Sequence, residues 1–186
     1  MNQQQQIIEW LRADPYRMQA LSIARELQLN QWCLAAGFVR NLVWDKLHGY
    51  PSSTPLNDID LVYFDEQDAS EQHDLQLKEQ LNHTTSALNQ SFPWSVKNQA
   101  RMHLRNGRWP YTSTQDAISY WVEVETAIGA CLKENGDIEL VAPFGLAALF
   151  SQTITLNTQN GEIDTYHQRV NSKGWQQHWP QLQLVV

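Results

Sequence analysis

The stretch that most constrains this chain is Asn57–Phe64, which alternates polar and apolar residues, with Asp58 and Asp60 on one side and Ile59 and Leu61 on the other. A period of two marks a strand, and residues i and i+2 of a strand leave the same face, so both carboxylates can reach one ion. Upstream, Trp32–Ala36 is a short apolar run halted by Gly37. Val39, Leu42, Val43 and Leu47 then recur at helical spacing as far as Gly49, and Tyr50–Leu56, with two prolines, is a loop. The predicted central unit is strand–glycine–helix–loop–strand, its two strands neighbours in one sheet.

Around this unit the sequence predicts an α+β domain spanning residues 1–186, a small mixed sheet with flanking helices. One helix carries Ile7, Ile8 and Leu11, behind a Gln3–Gln6 tract expected to fray. A second starts at Asp14 as cap and Pro15 as first helical residue, and buries Met18, Leu21, Ala24 and Leu27. Asp68 with Glu71 reads as the cap of a helix striped by Leu77, Leu81 and Leu88. Trp94–Lys97 reads as a strand and Thr114–Trp121 as a short helix. Val124–Leu132 and Asp137–Val141 flank Asn135-Gly136 as a hairpin. Short and long terminal helices are expected at Gly145–Phe150 and Thr165–Trp179.

Composition narrows the partners. Thirteen Lys and Arg against twenty Asp and Glu leave a net charge of −7, so a long nucleic-acid duplex, which is held by neutralising many phosphates, is an unsuitable ligand. The one dense basic stretch is Lys97–Arg108, with Arg101 and Arg105 between, enough for a triphosphate or a short anion. No apolar run approaches the roughly 20 residues of a membrane helix, and Met1–Gln6 lacks the order of a secretory signal. Cys33 and Cys131 are isolated in apolar sequence and read as buried thiols, which suits a reducing compartment such as the cytoplasm. The six histidines show no ligand spacing for zinc.

The chemistry predicted for Asp58 and Asp60 is magnesium or manganese binding. Magnesium takes oxygen ligands, keeps several waters, and is commonly shared between one or two carboxylates and substrate phosphates. Ala36-Gly37-Phe38-Val39-Arg40-Asn41, at a strand end and helix start, supplies the complement. A glycine there admits close backbone approach to a phosphate, the helix N-terminus offers N–H donors, and Arg40 can fork onto phosphate oxygens. Lys97, Asn98 and Arg101 are further nucleotide-binding candidates. His103 reads either as a proton shuttle or as an ordinary hydrogen-bonded histidine. Seven tryptophans sit in apolar patterns and read as core; Trp109, beside Pro110-Tyr111, is free either to stack a base or to pack.

Gly37-x-Val39-Arg40-Asn41 followed by Asn57-Asp58-Ile59-Asp60-Leu61 resembles the signature of the polymerase-beta-like nucleotidyltransferases, nearest to the CCA-adding and bacterial poly(A) polymerase branch. That branch shows Gly-Gly-x-Val-Arg-Asp and then Asp-Ile-Asp. The resemblance implies that Gly37 and Arg40 hold a nucleoside triphosphate and that Asp58 and Asp60 hold magnesium; Asn41, beside Arg40, is a further nucleotide-binding candidate. Trp94–His103, Pro110–Thr114, Ala142–Leu146 and a tail of Tyr166, Arg169, Lys173, Trp175, Trp179 and Pro180 resemble a small bacterial nucleotidyltransferase-like family over nearly the whole chain.

The chain departs from the superfamily pattern at three points. Ala36 replaces the first glycine and Asn41 the aspartate after arginine. The strand expected to carry a third carboxylate, Trp94–Gln99, has none, which leaves Asn98, Glu123 and Glu125 as candidates for a third metal ligand. The expected activity is transfer of a nucleotidyl group from a triphosphate to a small molecule, a protein or an RNA end. The rival reading is a catalytically weak nucleotide-binding or interaction protein that keeps the fold. A toxin–antitoxin-type partner is a third reading, for which no residue speaks directly.

Overall fold

The computed structural model describes residues 2–186; Met1, the start of the polar N-terminal stretch, lies outside them. Helix α1 (Gln3–Arg12) begins at the glutamine tract, contrary to the expectation of fraying. Asn2 caps it reciprocally with Gln5, satisfying two otherwise orphaned N–H groups. Helix α2 (Pro15–Arg25) starts at Pro15 as expected, with Asp14 accepting from the Arg17 N–H. Strand β1 (Cys33–Ala35) leads through Ala36 into α3 (Gly37–Leu47), and β2 (Ile59–Tyr63) returns antiparallel to β1. The predicted strand–glycine–helix–strand unit is therefore present, with both strands in one sheet.

Helix α4 (Glu71–Thr85) is capped by Ser70, not Asp68; Asp68 instead accepts from the Ser70 N–H and so shapes the turn before the cap. Strand β3 (Trp94–Asn98) pairs parallel to β2, a crossover that α4 makes possible. A 3-10 turn, Gln99–Arg101, precedes the short α5 (Met102–Arg105), and α6 (Thr114–Ile118) follows behind Ser113. Val124–Thr126 is a second 3-10 turn rather than the start of a strand, because Glu125 turns inward to bond β6 (Thr153–Thr155). Strands β4 (Gly129–Leu132) and β5 (Ile138–Val141) form the predicted hairpin, and α7 (Ala147–Phe150) follows Pro143.

The five-stranded sheet runs β3-β2-β1-β4-β5. The C-terminal region holds α8 (Ile163–Lys173), α9 (Trp175–His178) and β7 (Gln183–Val185), which pairs parallel to β6. The single long helix expected over Thr165–Trp179 is thus broken. Gly174, at φ 61°, takes the left-handed turn that ends α8.

One face of the sheet carries the main core, where Leu34, Ile59, Leu61 and Tyr63 pack under α1–α4. The opposite face, lined by Cys33, Ala35 and Val62, packs against Ile118 and Trp121. Both cysteines are free and buried. No helix among the described residues is long and apolar enough to cross a membrane.

Candidate active site

Asp60 lies opposite Ala35 in the β1–β2 ladder, one residue before the chain turns into α3, and opposite Ser95 in the β2–β3 ladder. Asp58, expected inside a strand from Asn57 to Phe64, stands one residue before the observed β2 and is exposed. Together they open onto a cavity of about 750 Å³ that Gly37, Arg40 and Asn41 also line. The order glycine turn, helix start and carboxylate pair in sequence is therefore also a cluster in space.

The turn itself is unusual. Ala36 holds φ 56° and ψ −123°, a conformation that side chains with a Cβ rarely adopt. Its N–H donates to the Ile128 carbonyl at 2.8 Å, and its carbonyl accepts from the N–H groups of Val39 and Arg40, so the surrounding backbone fixes it. The alanine thus keeps the shape a glycine would take there. Gly37 has no room to spare: a Cβ would meet the Asn41 amide at 3.3 Å.

Arg40 is buried between two indoles, its guanidinium 5.0 Å from the Trp44 ring and 4.6 Å from that of Trp175. It donates to Thr126 Oγ1 at 2.6 Å and to Asn41 Oδ1 at 3.1 Å, while its buried Nε has no partner. Burial pulls its pKa down to about 10, so it stays charged at neutral pH. Burial and the neighbouring Asp58 carboxylate raise the pKa of Asp60, partly offset by Ser95, Lys97 and Arg40. Among the described residues neither aspartate makes an ion pair. Two crowded oxygen donors with no ion-pair contact among the described residues fit a hard divalent cation.

The other predicted residues divide. Lys97 is exposed and lines the cavity, as does Arg105. Asn98 is fully buried and lies three ladder positions beyond Ser95, about 10 Å along the strand. Its amide accepts from the N–H groups of Asp65 and Ala100 and donates to the carbonyls of Asp65 and Asp68. Arg101 ion-pairs with buried Asp74, which also accepts from Tyr63 and the Asn98 N–H. Both residues build the loop around the site and do not line the cavity. His103 is bonded to the Ala100 carbonyl at 2.8 Å.

Glu123 is held by Arg169 through two bonds of 2.6 and 3.1 Å, and Glu125 by Thr153 and Thr155. No third His, Cys, Asp or Glu joins Asp58 and Asp60 among the described residues. The candidates for a third ligand are accordingly spoken for by the fold.

Several lining residues were not anticipated. Arg169 and Lys173 reach the cavity from α8; Trp175 and Trp179, buried in the main core as expected, and Trp121 also form part of its wall. Arg169 and Lys173 are four residues apart on a helix, and that spacing is the signal that could have found them. Trp109 is exposed. In all, five of the thirteen Lys and Arg line the cavity (Arg40, Lys97, Arg105, Arg169 and Lys173), against two acids. The cleft is locally cationic in an acidic protein.

Comparison with known proteins agrees with this geometry. A solved structure described as revealing a CCA-adding enzyme head domain is 34% identical, with a TM-score of 0.83 over 97% of this chain and 94% of that one. Two structures of a tRNA-processing enzyme, one of them its complex 3 and the other an apo form, share the fold at 16% identity. Their TM-scores are 0.56 and 0.55; each covers 88% of this chain, but only 42% and 44% of theirs. No curated protein matches. A family described as nucleotidyltransferase matches residues 22–184, nearly the whole length, and the chain belongs to that nucleotidyltransferase family.

Proposed function

We propose that the protein is a divalent-metal-dependent nucleotidyltransferase using a nucleoside triphosphate. The observation that carries this reading is the pairing of two unpaired carboxylates, Asp58 and Asp60, with a cationic cleft at the N-terminus of α3. In the reaction an acceptor oxygen forms a bond to the α-phosphorus, the bond from that phosphorus to the bridging oxygen breaks, and pyrophosphate leaves. The acceptor's proton passes to solvent or to a basic group of the acceptor site.

Asp58 and Asp60 are the residues that would hold Mg2+ or Mn2+. Such an ion, when bound, neutralises phosphate charge and lowers the pKa of a coordinated acceptor. The chain's own residues do the rest. The Gly37 turn admits the triphosphate close to the backbone, and the first N–H groups of α3 face it. Arg40 supplies a fixed positive charge whose orientation Trp44, Trp175 and Thr126 set in advance. Lys97 adds a mobile cation beside Asp60 on the neighbouring strand. Asn98 and Arg101 act at one remove, by holding the turn that joins β3, which carries Lys97, to α5, which carries Arg105.

A second reading has its own support. Asn98, Glu123 and Glu125 are all engaged by the protein, and the second metal of such reactions ordinarily benefits from a further carboxylate. This favours a protein that binds metal and nucleotide and transfers slowly. One experiment separates the readings: incubation with each α-labelled triphosphate, Mg2+ or Mn2+, and cell extract, for wild type and Asp60→Asn. Label transferred by wild type and lost in the variant supports transfer. Metal-dependent nucleotide binding with no transferred label supports the binding protein, and metal-independent binding that survives Asp60→Asn removes the site.

A further inference from the structure

The C-terminal helices contribute to the cleft in a way that the aspartate pair and the α3 turn do not explain. Trp175 and Trp179 stack edge-on against Trp44 of α3, with ring centroids 6.0 and 5.2 Å away. The Trp179 indole donates to Asp45 at 2.8 Å, and the Tyr50 hydroxyl donates to the His178 carbonyl. These bonds seat α8 and α9 against the helix whose N-terminus faces Asp60.

On that docked helix, Arg169 and Lys173 lie one turn apart on one face and both line the cavity. Arg169 spends Nε and Nη2 on Glu123, which fixes the guanidinium plane, and its Nη1 makes no hydrogen bond among the described residues. Lys173 is exposed and has no ion pair among the described residues. Lys97 and Arg105 line the cavity from β3 and α5. With Arg40 on α3, cations delivered from four separate elements suit one ligand with several charges along its length better than one small anion. A guanidinium of fixed plane beside a flexible ammonium suits phosphate oxygens.

We propose that Arg169 and Lys173 form a polyphosphate clamp, gripping the β- and γ-phosphates of the substrate from α8 across the cleft from α3. This rests on the triphosphate reading above, and it assigns to the C-terminal helices a binding role instead of a purely structural one. Lys173 is the residue to test, because Arg169 also supports Glu123 and its loss would disturb the fold.

The test is calorimetric titration with inorganic tripolyphosphate and, separately, with orthophosphate. The proteins are wild type, Lys173→Ala, Lys173→Arg and, as a control for net charge, Lys78→Ala on the outer face of α4. Wild type should bind tripolyphosphate more tightly than orthophosphate. Lys173→Ala should weaken tripolyphosphate binding about tenfold, Lys173→Arg should restore most of it, and Lys78→Ala should match wild type. No tripolyphosphate binding by wild type, or equal effects of Lys173→Ala and Lys78→Ala, would overturn the clamp. The readings fail separately: a lysine-dependent tripolyphosphate site without label transfer removes the transferase reading alone. Transfer at unchanged KM in Lys173→Ala removes the clamp alone.

Discussion

Asp60 and Ala35 face each other across the β1–β2 ladder, so the carboxylate sits one residue from the point where the backbone at Ala36 turns into α3. Residues 35 and 60, far apart in sequence, become direct neighbours, and this makes the conformation of one alanine matter to the site.

Ala36→Gly should stabilise the protein by about 1 kcal/mol, since relief of a left-handed alanine outweighs the greater entropy of an unfolded glycine. Urea denaturation of the two proteins checks this. A lower midpoint for the glycine variant would mean that the turn holds no strain.

Asp60→Asn should raise the melting temperature in metal-free buffer by roughly 2–4 °C, because it removes burial of a charge and repulsion from Asp58 that Lys97 and Arg40 only partly offset. Added Mg2+ should then raise the melting temperature of wild type and leave the variant unchanged. Differential scanning calorimetry with and without Mg2+ reads both effects; equal responses to the metal would remove Asp60 from its binding.

Arg101→Ala and Arg105→Ala should separate cleanly. The first strands Asp74 in the interior beneath Tyr63 and should cost about 3 kcal/mol of stability. The second removes an exposed side chain and should change stability by less than about 0.5 kcal/mol while weakening triphosphate binding. Denaturation midpoints alongside nucleotide titrations distinguish them. Unchanged nucleotide affinity in Arg105→Ala would assign that residue to the surface.

Asp14 gives the fold an acid-sensitive joint. Burial pushes its pKa up, but Arg17, through charge and hydrogen bonds, and the Ser53 hydroxyl outweigh this and leave it below 3.8. A carboxyl depressed in the folded state contributes stability that is fully present above its unfolded pKa and is lost as pH falls through the folded value. Asp14→Ala should therefore cost about 1–2 kcal/mol at pH 7 and progressively less below pH 3.8. Unfolding free energies across that range check the sign. A cost independent of pH would make Asp14 a mere turn former.

The central unit was legible because its signals are local: period two at Ile59 and Leu61, period 3.6 from Val39 to Leu47, and glycines where the chain changes direction. What sequence left unread depends on distant partners. Glu123 and Glu125 look like free carboxylates until Arg169, 46 residues on, and Thr155, 30 residues on, claim them. Asn98 sits beside a basic run and looks like a ligand, yet it spends its amide on the Asp65–Asp68 turn. Strands β6 and β7 are only three residues long, and β7 is exposed throughout, so neither shows an alternating pattern. The tryptophans of the tail are core, as their apolar spacing implies, but that spacing carries no sign that they also wall the cleft.

The bond from Trp179 to Asp45 spans 134 positions of sequence. During synthesis the aspartate pair, the glycine turn and Arg40 leave the ribosome long before Trp179, and before the Trp175 indole that will cover that arginine. Until Trp175 and Trp179 pack on Trp44, the wall of the cleft beside α3 is incomplete. The wall of the cleft beside α3 is therefore completed by the last helices of the chain, after every residue of the aspartate pair and the glycine turn has been made.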